Sequence, residues 1–239
     1  MALSQDLICF LREQACKYET ADFILADPVQ FPHRYSNNQD IEVSAFVSQW
    51  VAYGSRKVFL KVLEHIHEMM DAGGGPWNYV NGTDWQKYSE MDEVLYRFNK
   101  WSHFAALCSI LHDWYKTHVS LQDLATDAHA MTFVDNLARL MQHVPGIPLP
   151  GSKSANKRIW MFLRWMVRQN SAVDFGIWHK ISQAELLVPV DTHVLQSARK
   201  LGLITSNSAS LSCAGLLSGQ MNQVFPGDPA RADFALFCI

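Results

Sequence analysis

No stretch of this chain approaches the roughly 20 consecutive apolar residues that a membrane-spanning helix requires. Its first residues, MALSQDLICFLREQACK, mix charge into the apolar pattern and lack the apolar core and small-residue cleavage site of a signal peptide. There is no CxxC. The five cysteines, Cys9, Cys16, Cys108, Cys213 and Cys238, are odd in number and widely scattered. That distribution predicts reduced thiols in a cytoplasmic protein and excludes a zinc knuckle or a cysteine-ligated iron–sulfur cluster. No second histidine stands at ligand spacing from His193, so neither a metal nor a cofactor is expected. Charge is sparse as well: 18% of residues are charged and the net charge is −3. Such a balance neither demands nor forbids a polyanionic partner, because binding follows local patches. With 49% hydrophobic residues the chain is not disordered.

Runs of alternating strands, heptads and fixed-period repeats are also missing. What remains is helical periodicity. Leu7, Ile8, Phe10, Leu11 and Ala15 form one stripe near the start. Pro28 and Pro32 break the pattern over 22–38. The next stretch, IEVSAFVSQWVAYGSRKVFLKVLEHIHEMM, reads as helix interrupted near Gly54-Ser55. WSHFAALCSILHDWYKT and LATDAHAMTFVDNLARLMQHV follow, and PGIPLPGS (145–152) is a proline- and glycine-rich connection. ANKRIWMFLRWMVRQ is helical again, residues 170–188 are irregular, and Thr192 to about Leu201 is a helix closed by Gly202. A short helix with Pro229 in its first turn lies near the C-terminus. The class is all-α.

One further absence is local. From Met141 to Asn170 there is no Asp or Glu, yet Lys153, Lys157, Arg158, Arg164 and Arg168 lie there. On a helix Lys157, Arg164 and Arg168 share a face with Met161. A solvated basic face is one reading; a surface for phosphate at a helix start, extended into a nucleic-acid groove, is the other.

The stretch VPVDTHV (188–194) poses a sharper question. Asp191 stands directly before a helix, where aspartate is a preferred N-cap. A carboxylate held by backbone N–H groups also stays ionised and fixed, which suits a group that must face a developing cation.

VPVDTHVLQSARKLGL resembles the aspartate segment of the helix-hairpin-helix DNA glycosylase superfamily. LPGSKSANKRIWMFLRWM resembles the hairpin and following helix that carry that group's lysine, with Lys153 standing where the second hairpin glycine is usual. The hairpin is therefore degenerate. The wide spacing between Lys157 and Asp191 is similar to the archaeal 8-oxoguanine glycosylase branch. FVSQWVAYG (46–54) resembles an early helix that approaches DNA, and FPGDPARADFALFCI is similar to the C-terminal helix behind the aspartate. Over its full length the chain looks most like a bacterial family of conserved hypothetical proteins distantly related to these glycosylases.

The resemblance implies a two-lobed helical fold: one lobe of residues 1–44 and 171–239 carrying Asp191, the other of residues 45–170 carrying the hairpin and Lys157. It implies a DNA repair glycosylase, with AP-lyase activity as an extension, acting on an oxidised purine in double-stranded DNA. Lys157 would be the nucleophile, with Lys153 its competitor, and Asp191 would stabilise the sugar cation. Gln49 would fill the gap left by the extruded base, and Lys153, Arg158, Arg164 and Arg168 would hold the DNA. Trp160, Trp165 and Trp178 could stack on the base or simply fill the core. Asp174 and Glu185 could be accessory acids. No membrane and no obligate protein partner is called for. Two other readings stand beside this one: a nucleic-acid-binding relative that has lost catalysis, and an enzyme or binding protein for a small phosphorylated ligand.

Overall fold

Each apolar-periodic segment is bounded by residues that start or stop helices. The computed structural model, which describes residues 2–237, places helices between those marks. They run α1 (Gln5–Tyr18), α2 (Ala21–Ile24), α3 (Asn38–Val51), α4 (Arg56–Ala72) and α5 (Pro76–Asn81). A two-stranded hairpin, β1 (Val94–Tyr96) and β2 (Asn99–Lys100), precedes α6 (Trp101–Tyr115) and α7 (Ala130–Leu140). Then come α8 (Lys157–Val167), α9 (Thr192–Lys200), α10 (Leu211–Val224) and α11 (Ala232–Leu236). The protein is mostly helical, and the antiparallel hairpin, which pairs Val94 with Lys100 and Tyr96 with Asn99, is a small exception. None of the described helices is long and apolar enough to cross a membrane.

The chain divides into two compact units. The first comprises Met1–Ala26, Asp127–Ala130 and Gly151–Ile239; the second comprises Asp27–Thr126 and Met131–Pro150. These boundaries differ from the lobes expected at 1–44 with 171–239 and at 45–170. Residues 27–44 belong to the second unit and 151–170 to the first, so Lys157 and Asp191 fall in the same unit. The physical reason is that α8 is buried among partners from the two ends of the chain, which local pattern does not reveal.

In the first unit Leu11 and Ala15 of α1 pack with Val188, Val190, Val194, Leu217 and Leu236. Each fully buried aliphatic side chain of this kind contributes about 1.5–3 kcal/mol. Ser4 caps α1 by accepting from Leu7 N–H, and Ser210 caps α10 by accepting from Cys213 N–H. Helix α9 closes with Gly202 at φ +69°, whose N–H donates to Arg199 while Leu203 N–H donates to Ala198. That pair of bonds satisfies the last carbonyls and needs a residue at ease with positive φ. Of the cysteines, Cys9, Cys16, Cys108 and Cys213 are free thiols, and Cys238 lies outside the described residues.

In the second unit α3 is buried along its whole length from Ile41 to Val51. A charged side chain in a helix so enclosed must find its partners inside the protein. The Glu42 carboxylate does so by accepting from Tyr115 O–H, Ser120 O–H and Leu121 N–H. Ser44 Oγ lies 2.8 Å from His67 Nε2, while His67 Nδ1 lies 2.8 Å from the Leu63 carbonyl. A carbonyl can only accept, so Nδ1 carries the hydrogen and Nε2 accepts from the serine hydroxyl. Both side chains are sealed from solvent, so this Ser–His contact is structural rather than nucleophilic.

Burial pushes the His67 imidazole down to about 4, against the opposing bond to Leu63. Between its unfolded value of 6.5 and 4, the unfolded chain therefore takes up a proton that the folded chain refuses. The resulting stability is present above the unfolded value and is lost as pH falls toward 4. We expect wild type to lose about 3 kcal/mol more than His67→Gln over that window. Urea unfolding of both proteins across the pH range measures the difference; equal slopes would refute it.

Candidate active site at two helix starts

Two helices of the first unit begin beside one another with oppositely charged side chains. Helix α9 begins after Asp191, whose Oδ1 accepts from His193 N–H and Val194 N–H, each at 2.9 Å. Its other oxygen, Oδ2, accepts from Lys157 Nζ at 2.7 Å. Lys157 is the first residue of α8, and its ammonium lies 5.8 Å from the centre of the Phe237 ring. A cation at a helix N-terminus opposes the helix dipole, and the Asp191 carboxylate offsets that cost. Burial alone would raise the Asp191 carboxyl; the Lys157 charge and the Val194 N–H bond outweigh it and hold the group below the usual carboxylate range. The pair is only partly covered, with side-chain exposures of 31% for Lys157 and 23% for Asp191, so a ligand can reach it.

The backbone fixes both residues from behind. Val188, Pro189 and Val190 are buried, and Val188 N–H donates to Ser218 Oγ of α10 at 2.9 Å. On the α8 side a bridge between Ser154 and Ser210 ties the approach to the helix down, with Ala155 N–H donating to Ala209. Asn156 then turns the chain in the left-handed conformation, φ 49° and ψ 40°, directly before Lys157. Its Oδ1 is buried without a hydrogen-bond partner among the described residues. In the sequence Asn156 stands out only as a neutral hydrogen-bond former, although asparagine is among the non-glycine residues most at ease with left-handed φ.

The other expected site residues are distributed differently. Lys153 is exposed in the loop before α8, its backbone carbonyl accepting from Leu211 N–H. Arg158 is partly buried at the second position of α8. Arg164 and Arg168 do not line a groove; they are buried, and this corrects the expectation that they share an open basic face. Arg164 bonds Asp174 at 3.1 Å and Asp233, with its guanidinium 4.4 Å from the Phe234 ring centre. Arg168 bonds Asp228 and Glu19, each at 2.8 Å, together with Asp174. The acids missing from 141–170 are supplied by Asp174, just beyond it, and by Glu19, Asp228 and Asp233 from the two ends of the chain.

Gln49 is also misplaced by the sequence reading. It is fully buried in α3 with both amide atoms lacking hydrogen-bond partners among the described residues, so in this conformation it cannot enter a base stack. Trp160, Trp165 and Trp178 are core residues at 0–1% exposure. Asp174 is consumed by the two arginines, and Glu185 accepts from His129 and from Ala130 N–H. Neither serves as an accessory acid at Lys157. Pro150 and Gly151 form a turn within the proline- and glycine-rich connection, with Gly151 at φ +74°.

A family described as "Protein of unknown function (DUF2400)" matches residues 27–239. No curated protein and no solved structure matches the chain.

Proposed function

The chain belongs to the DUF2400 family, and we propose that it is a cytoplasmic DNA repair glycosylase, with lyase activity, that excises an oxidised purine from double-stranded DNA. The observation that carries this reading is the 2.7 Å ion pair between Lys157 and Asp191 at two helix starts. It supplies, in one accessible place, the two groups the reaction needs.

As the base leaves with the electrons of its glycosidic bond, positive charge develops at C1′. Asp191, ionised and held by two N–H donors, stabilises that charge. Lys157 must first leave the ion pair and give up a proton. Its nitrogen then bonds C1′; after loss of a second N–H proton the C1′–O4′ bond breaks, O4′ takes up a proton, and the open sugar is left as a protonated imine. The DNA backbone is the natural ligand for the cations around this point, Lys153 and Arg158. Arg164 and Arg168 have no part in it.

Borohydride trapping on duplexes with single lesions, 8-oxoguanine first, tests the reading. Wild type and Lys153→Gln should form a covalent adduct, and Lys157→Gln should form none. An adduct lost only in Lys153→Gln would move the nucleophile to the loop. If folded protein yields neither adduct nor free base from any lesion, the glycosylase reading fails. A nucleic-acid binder without catalysis or a protein for a small phosphorylated ligand would then take its place.

A further inference from the structure

The second unit carries a groove that the Lys157–Asp191 chemistry does not use. Its volume is about 410 Å³, within the ordinary range of ligand sites. It lies between α4 and β1, with Trp101 at the start of α6. Val58, Val62, Val94, Leu95 and Trp101 make its surface predominantly apolar. Val58 and Val94 are largely exposed, at 48% and 64%, which is unusual for valines that neighbour one another around a cavity.

One edge is cationic. Lys57, Lys61 and His65 follow at four-residue spacing along α4 and so share a side of the helix. Neither lysine forms an ion pair among the described residues. The neighbouring acids do not neutralise them: Glu64 already holds Arg34 through two bonds, and Glu68 lies 4.0 Å from His65. Glu93, beside Val94, is exposed and adds one negative charge at the β1 side.

Apolar surface bordered by cations at helical spacing complements a helix with apolar residues on one face and carboxylates beside them. A nucleobase is a poorer fit. Trp101 is stacked on Tyr88 at 4.7 Å and is met edge-on by His65 and Phe104. The ring thus offers a wall rather than a stacking platform. We propose that this groove docks an acidic amphipathic helix of a partner protein, independently of the reaction at Lys157.

The test uses the full chain and a fluorescent synthetic helical peptide with leucines at i, i+4 and i+7 flanked by glutamates. A second peptide carries lysines in place of the glutamates, and an oligothymidylate provides the nucleic-acid probe. The glutamate peptide should bind, the lysine peptide should not, and Lys57→Glu/Lys61→Glu should weaken the former by about tenfold or more. Val58→Asp should weaken it comparably, with thermal unfolding unchanged because these positions are exposed. The doubly reversed protein should gain affinity for the lysine peptide. Absence of glutamate-peptide binding, or binding indifferent to these variants, overturns the proposal. So does oligothymidylate binding that the same variants abolish, which would make the groove a nucleic-acid site.

Discussion

Replacing Arg168 by alanine should lower the unfolding free energy by about 3–5 kcal/mol, the usual cost of breaking a buried ion network from one side. Arg168 is 2% exposed and joins Glu19, Asp174 and Asp228. Two of these acids keep another cation in the variant: Asp174 still meets Arg164, and Glu19 still meets Arg231 at 2.8 Å. Asp228 keeps none. Burial already raises its carboxyl against the pull of Arg168, with Glu19 and Asp174 adding to the rise. Without Arg168 it rises further. A folded value above the unfolded one favours folding at low pH, and the advantage is lost as pH rises through the folded value. The penalty of Arg168→Ala should therefore be largest at neutral pH and smaller under mild acid. Adding Asp228→Asn should recover part of the loss at neutral pH. Urea unfolding of the three proteins at both pH values tests this. A penalty independent of pH and untouched by Asp228→Asn would mean that lost packing over Phe234, 5.6 Å from the guanidinium, decides the cost.

The same network shows where reading the sequence succeeds and where it stops. Helix starts and stops are local, and several were legible. The break near Gly54-Ser55 lies between the end of α3 at Val51 and the start of α4 at Arg56. Gly54 adopts φ +78°, and an added Cβ would meet Tyr96 and Arg97 side chains at 2.9 Å or less. Gly202 closes α9, and Asp191 opens it, through bonds to residues two and three positions away. That α8 is enclosed on every side, from Ile159 to Val167, was not legible. Its period placed Lys157, Arg164 and Arg168 along one stripe, but the acids that bury the two arginines stand at positions 19, 174, 228 and 233. An arginine stripe reads as surface until its distant partners are known. Gln49 failed for a related reason: its segment is apolar enough to be enclosed whole, and a motif match does not report burial. Helix α10 escaped notice because serines and glycines dilute its pattern, although Leu217, Met221 and Val224 are fully buried. The Lys157–Asp191 pair was suggested by family resemblance, since nothing in local periodicity connects the two positions.

Asp191→Asn separates the two tasks that one carboxylate performs. Asparagine is as good an N-cap as aspartate, so α9 should keep its start and the protein its stability to within about 1 kcal/mol. The ion pair to Lys157 is lost, but at this partial exposure its contribution to stability is itself about 1 kcal/mol or less. Base release from the lesion that supports trapping should nonetheless fall by roughly 10²–10³-fold, the usual effect of removing one preorganised stabiliser of transition-state charge. Asp191→Ala should lose the same rate and, in addition, about 1 kcal/mol of stability with the cap. Lys157→Gln should leave stability nearly unchanged and abolish the borohydride adduct, because glutamine cannot form the imine. Single-turnover base release, read beside thermal unfolding of the same three variants, keeps capping and catalysis apart. If Asp191→Asn releases base at the wild-type rate while Asp191→Ala is slow, the geometry of the cap is what matters and the carboxylate charge is not. If both are slow and only Asp191→Ala is destabilised, the helix start holds Asp191 in place and its charge acts on the sugar.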